Sequence, residues 1–137
     1  MPPRSHRPPR GLLRVARTVT RDEAATWAQG SAEALPVADA CATHVWALAT
    51  VHHWRDVPTA LTEIRRVLAP GGRLLANVGS VENLASIREL LHRQAGDANT
   101  WMINVSRGVY QLERVRFESL NPTFLIGAVK PEEAARD

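Results

Sequence analysis

Asp56-Val57-Pro58-Thr59-Ala60-Leu61-Thr62-Glu63-Ile64-Arg65-Arg66-Val67-Leu68-Ala69-Pro70-Gly71-Gly72-Arg73-Leu74-Leu75 is the stretch whose reading decides the fold. Apolar residues at 57, 60, 61, 64, 67 and 68 fall on one helical stripe, which predicts an amphipathic helix over 57–68. Asp56 is a good N-cap, and its charge suits the positive end of the helix dipole. Pro58 sits in the first turn, where its missing N–H costs nothing. Pro70-Gly71-Gly72 stops the helix, with Gly71 free to take the left-handed conformation at its far end. Arg73 to Val78 then reads as an apolar strand. Upstream, His44 to Ala49 is apolar on both faces, as an interior parallel strand must be. Strand, helix and strand in this order form a right-handed crossover of a parallel sheet. Such sheets bind ligands beyond the carboxyl ends of their strands, so chemistry is expected between Ala49 and Trp54.

With 137 residues the chain is one domain or most of one. No apolar run approaches the roughly 18–20 residues of a membrane span, so no membrane partner is expected. No apolar h-region follows the basic N-terminus, which argues against a secretory signal. Cys41 is the only cysteine, so no internal disulfide can form, and a cytoplasmic location is expected. Residues 1–21 hold six arginines and no acid, whereas the remainder has eleven basic and fourteen acidic residues. The net charge of +3 therefore describes a leader rather than a basic binding face. Such an arm can bind phosphates, but no aromatic is interleaved for base stacking, and nucleic acid is not the expected partner.

Along the chain, residues 1–10 read as a disordered Arg/Pro-rich leader, 11–131 as the domain, and 132–137 as a tail. A short helix is expected over 10–17 and a short strand around Ala25 to Ala28, followed by a loop or helical turn over 31–42. Val81 to Gln94 reads as a second amphipathic helix, and residues 96–109 stay ambiguous between cover and core. Val109 to Ser119 and Thr123 to Val129 read as two strands of an antiparallel hairpin turning at Leu120-Asn121-Pro122.

A parallel sheet ending in an antiparallel hairpin, taken with Gly30-Ser31-Ala32-Glu33-Ala34-Leu35-Pro36, Val45-Trp46-Ala47-Leu48-Ala49, His52-His53-Trp54 and Leu61 through Gly72, resembles the class I S-adenosylmethionine-dependent methyltransferases, specifically the type 11 group. The resemblance implies an α/β, partial Rossmann-like methyltransferase fold: a mostly parallel sheet, helices on both faces and a C-terminal antiparallel hairpin. It implies S-adenosyl-L-methionine as cofactor and a small molecule as methyl acceptor. Position by position, Leu12 matches the apolar residue against the adenine. Ser31 stands where an Asp normally accepts from the adenine amino group, Ala32 would offer its backbone N–H, and Glu33 would flank the ring. Ala49 and Thr50 would lie beside the methionine part, and His52 and His53 would line the path to the acceptor. His53 is the candidate base, because an imidazole ordinarily titrates near neutrality.

Each assignment has a plainer rival. Leu12 can serve as core, and Ser31 and Glu33 can cap a turn. Adjacent histidines are expected to point apart, and no third ligand has suitable spacing, so no metal site is expected. Trp54 reads as a packing residue that anchors the loop. The family's first strand and its Gly-x-Gly-x-Gly loop are not found: no two glycines lie two apart. An N-terminally truncated or degenerate member is therefore expected, with an apolar sheet edge left open. A homodimer or a partner chain could cover that edge. Two function classes stay open here: methyl transfer to a small molecule, and a catalytically inactive remnant acting as an interaction module.

Overall fold

A computed structural model describes residues 10–20 and 23–132, residues 10–13 by their backbone alone. The elements in chain order are α1 (Arg10–Val19), β1 (Ala42–Ala47), a 3-10 turn (Val51–His53), α2 (Val57–Val67), β2 (Leu68–Val78), α3 (Val81–Ala95), β3 (Ala98–Ile103), β4 (Ser106–Gln111), β5 (Arg114–Ser119) and β6 (Thr123–Val129). The leader assigned to residues 1–10 lies outside the described residues except for Arg10, which opens α1. Of the expected tail, only Glu132 is described.

The main sheet has the order β1-β2-β6-β3. β1 and β2 are parallel, with Val45 opposite Leu74 and Ala47 opposite Ala76. β6 runs antiparallel to both β2 and β3. Three strands thus point one way and β6 against them, which gives one parallel pair, β1–β2, and two antiparallel pairs. The carboxyl ends of β1, β2 and β3 share one edge, where Val78 pairs with Phe124 and Ile103 with Thr123.

α2 carries the expected stripe, with Ala60, Leu61, Ile64 and Val67 buried. α3 adds Ile87 and Leu91. Leu61, Ile64, Ile87 and Leu91 meet Leu74, Ala76, Val78, Phe124, Ile126 and Ala128 in one core. Alternation along the strands puts those sheet residues on a single face. Helices on both faces were expected; in the described residues α2 and α3 share this face. The other face carries Trp46, Leu75, Leu125 and Trp101 and has no comparable cover among the described residues, while α1 is mostly exposed from Arg14 to Val19.

Several expectations shift, each for a local reason. Asp56 is the N-cap of α2, but its carboxylate accepts from the Thr59 hydroxyl rather than from a backbone N–H. The Pro-Gly-Gly segment does not cap the helix, because Leu68 is already extended and its N–H closes on Ile64 O. Ala42 pairs with Leu68 and His44 with Arg73, so Ala69 to Gly72 bulges out of β2. Gly71 supplies the positive φ of 73° that the bulge needs. At Gly72 a Cβ would stand 2.7 Å from Ala69 O and 3.2 Å from Ala42 O, so only glycine fits.

β1 begins and ends two residues before the expected strand. Ala49 adopts a φ of +52° and its N–H turns to the Asn77 side chain, which takes the chain out of the sheet. The strand expected at Ala25 to Ala28 is irregular, with no neighbouring strand to pair with. The C-terminal antiparallel hairpin exists, but between β4 and β5, turning at Leu112 and Glu113, which both have positive φ. Thr123 to Val129 does not pair with it and inserts instead between β2 and β3.

Candidate active site

The segment Ala49 to Asp56 leaves the carboxyl end of β1 and carries the residues singled out for chemistry. Val51 is buried and pins the 3-10 turn to the core. His53 N–H donates to Thr50 O at 2.8 Å and Trp54 N–H to Val51 O at 3.1 Å. Trp54 is half-buried and packs on the core, as its anchoring role required. The turn leaves Ala49, Thr50, His52 and His53 exposed. The two imidazoles do not diverge: their ring centroids are 3.9 Å apart, tilted by 44°. Among the described residues no group of three His, Cys, Asp or Glu side chains gathers to hold a metal ion.

The second part of the site is the tight turn Ser31 to Ala34, closed by Ala34 N–H to Ser31 O at 3.1 Å. Glu33 ties it to the first part. One carboxylate oxygen of Glu33 accepts from Arg55 N–H at 2.7 Å and from Asp56 N–H at 3.2 Å. Partial burial raises the Glu33 carboxyl. The N–H groups of Asp56, Glu33 itself and Arg55, with the Ser31 hydroxyl, outweigh that and hold it below the ordinary 4.5. The structure thus brings Ser31, Ala32 and Glu33 against the start of α2, in the segment that follows Ala49 and Thr50. Leu12 lies in α1, and its side chain is outside the described residues. α1 is joined to the loop before Ser31 by the Arg17 guanidinium, which donates to Trp27 O at 3.2 Å.

Two sets of positioning residues were not singled out from the sequence. Glu63 and Arg66 form a two-bond pair on α2, at 2.9 and 2.8 Å. Glu63 also accepts from Leu35 N–H at 2.9 Å, while Arg66 donates to Leu35 O, Val37 O and the Asp39 carboxylate. Together they clamp the loop that follows Ser31 to Ala34 onto the helix. The Arg66 guanidinium and then the Leu35 N–H hold the Glu63 carboxyl below the ordinary 4.5. Arg66, bonded to Glu63 and then Asp39, is held above its ordinary range. The three-residue spacing of Glu63 and Arg66 was the available signal.

Asn77 is the other. Its Oδ1 accepts from Ala49 N–H, and its Nδ2 lies 3.5 Å from Thr123 Oγ1, so it links the end of β1 to the start of β6. It is the one polar residue in Leu74-Leu75-Ala76-Asn77-Val78, which was the hint. A small apolar recess lined by Leu61, Ile64, Leu91 and Ala128 lies at the opposite end of the strands, away from these groups.

Comparison with known proteins fits this arrangement. A family model described as a methyltransferase domain, of the type 11 group, matches residues 8–76. The uncharacterized protein YafE of Escherichia coli K12 is 50% identical over 50 residues, which are 36% of this chain and 24% of that protein. The malonyl-[acyl-carrier protein] O-methyltransferase of Erwinia pyrifoliae is 36% identical over 69 residues, 48% of this chain and 26% of that enzyme. Among solved structures, the precorrin-6y C5,15-methyltransferase of Geobacter metallireducens superposes with a TM-score of 0.59 at 21% identity, over 69% of this chain and 48% of that one. The matched part of the chain thus spans about a quarter of the length of these curated relatives. With the family model covering half of the sequence and the fold agreeing, the chain belongs to the type 11 methyltransferase domain family.

Proposed function

We propose that this domain takes part in S-adenosyl-L-methionine-dependent methyl transfer to a small-molecule acceptor. The observation that carries the reading is the bond from Glu33 to the start of α2. It seats the Ser31–Ala34 turn beside the segment leaving the carboxyl end of β1, where a sheet of this kind takes ligands. The side chains there suit a cofactor held through backbone. Ala32, Ala49 and Thr50 are small, and Ala49 and Thr50 are exposed. Ala32 would offer its N–H and Ser31 its hydroxyl to the adenine, with Leu12 against the ring. Ala49 and Thr50 would flank the methionine part. Glu33 serves the pocket by holding the turn, since its carboxylate faces backbone donors of α2.

The cofactor supplies an activated methyl group on a sulfonium, so the protein's task is mainly to position the acceptor. Positioning is worth up to about 7–11 kcal/mol in intramolecular models. His52 and His53 would line the acceptor's path, with His53 accepting a proton from an O–H or N–H acceptor.

Isothermal titration with S-adenosyl-L-methionine tests the reading. Saturable binding with micromolar affinity, weakened by Ser31→Ala and by a bulky Ala32→Leu, is expected. No heat at millimolar cofactor would favour the other class, an interaction module without methyl-transfer activity.

A further inference from the structure

The β4–β5 ribbon stands apart from the main sheet, and among the described residues no other helix or strand packs extensively against it. A two-stranded ribbon by itself is marginally stable in water, and further strands are what secure one. Its register divides it into two faces. Ser106, Gly108 and Tyr110 share one face with Val115, Phe117 and Ser119, while Arg107, Val109 and Gln111 share the other with Arg114, Arg116 and Glu118. Tyr110 is 73% exposed, Phe117 72% and Leu112, at the tip, 89%. Leu120 N–H donates to Val105 O, which fixes the alternation of the ladder. Arg114, Arg116 and Glu118 turn their backbone groups toward β4, so Val115, Phe117 and Ser119 turn theirs outward, to a free edge.

We infer that the free edge of β5 pairs with β5 of a second copy of this chain, antiparallel about a two-fold axis at Phe117. Charge complementarity selects both the occupant and the register. An axis at Phe117 sets Arg116 opposite the partner's Glu118 and, by symmetry, Glu118 opposite the partner's Arg116. An axis at Arg116 or at Glu118 sets that residue against its own copy, and an axis at Val115 sets Arg114 against the partner's Arg116; like charges directly opposite are destabilising. At the chosen register Phe117 stands beside the partner's Phe117, an aromatic cross-strand pair, and Val115 opposite the partner's Ser119. The outward backbone groups of the two strands then exchange about six hydrogen bonds. Glu118 is available for this role, because its contacts within the ribbon are loose and exposed, 3.5 Å to Arg107 and 3.6 Å to Arg116. The free edge of β4 suits pairing less, with Gly108 in its middle and no acid to answer Arg107. The product is a four-stranded antiparallel sheet with β5 of each copy at its centre. Because the copies run antiparallel, the Leu112 tip of each ribbon lies at the base of the other, on the sheet edge where β3 ends. The inference rests on the ribbon alone and stands whether or not methyl transfer does.

Sedimentation equilibrium of the whole chain, with amide exchange, tests it. A dimer is expected, with slow exchange at Val115, Phe117 and Ser119, whose N–H groups have no partner strand within the ribbon. Glu118→Arg sets arginine against arginine at both seam pairs and should weaken the dimer about tenfold or more. The double variant Arg116→Glu with Glu118→Arg reverses each pair and should restore it, which a merely unfolded ribbon would not do. Trp46→Lys, on the open edge of β1, should leave the dimer unchanged. A chain that stays monomeric from micromolar to millimolar concentration, with fast exchange at those three amides, would overturn the inference. So would a dimer that Trp46→Lys abolishes and Glu118→Arg spares, or a charge swap that fails to restore association. Cofactor titration of the same chain reads the methyl-transfer proposal separately.

Discussion

Replacing Glu33 by glutamine removes the charge that ties the Ser31–Ala34 turn to α2. In the native chain one carboxylate oxygen accepts from both Arg55 N–H and Asp56 N–H. Each hydrogen bond to a charged group contributes about 1.5–3 kcal/mol when shielded from water. Glu33 is only partly covered, and screening reduces the sum to roughly 1–2 kcal/mol. For a domain of this size that loss lowers the melting temperature by about 3–10 °C.

The same bonds set a pH dependence. The folded carboxyl is held below its ordinary 4.5. Its contribution is therefore fully present above the unfolded value and is lost as pH falls through the folded one. Calorimetry from pH 7 to pH 3 should show the wild type losing stability below about pH 4.5, where Glu33 and Glu63 protonate. Glu33→Gln should flatten part of that acid limb and speed amide exchange at Arg55 and Asp56. A melting temperature within about 1 °C of the wild type, an unchanged acid limb and unchanged exchange would refute the reasoning.

Three further outcomes follow from the fold. Gly72→Ala pushes a Cβ to 2.7 Å from Ala69 O, which is backbone and cannot swing away, so denaturant unfolding should show a loss of about 2 kcal/mol or more. Ile126→Ala removes a side chain with 0% exposure from the central strand β6 and should cost about 3–4 kcal/mol in the same assay. His53→Gln should leave melting nearly unchanged, because the imidazole is exposed, while slowing methyl transfer across pH 6–9 by about tenfold or more once an acceptor is in hand. Equal rates would end its role as base.

Periodicity made the helical half of the fold legible. The stripe of α2 and that of α3 lie where their apolar spacing put them, because both bury one face against one sheet. Strand pairing was less legible, since apolar runs announce a strand without naming its neighbour. Thr123 to Val129 was assigned to the ribbon before it, yet it joins β2 and β3, where Phe124, Ile126 and Ala128 meet the helices. The turn at Leu112 and Glu113 escaped notice because neither residue is a usual carrier of positive φ.

Motifs standing in the chain marked the candidate site at Ser31 to Glu33 and His52 to His53. It was illegible where a residue works through distance. Asn77 reaches Ala49 across the sheet, and Arg66 reaches back to Val37 and Asp39. Those contacts exist only once β1, α2 and β2 are assembled.

The claim at the centre of this account is that a methyl donor rests at the carboxyl ends of β1 and β2. Amide shifts of the labelled chain during titration with S-adenosyl-L-methionine test it most directly. The account predicts saturable shifts at Ala32, Ala49 and Thr50, with Lys130 and the recess around Leu91 unmoved. Saturable shifts confined to that recess, or none at all, would contradict it.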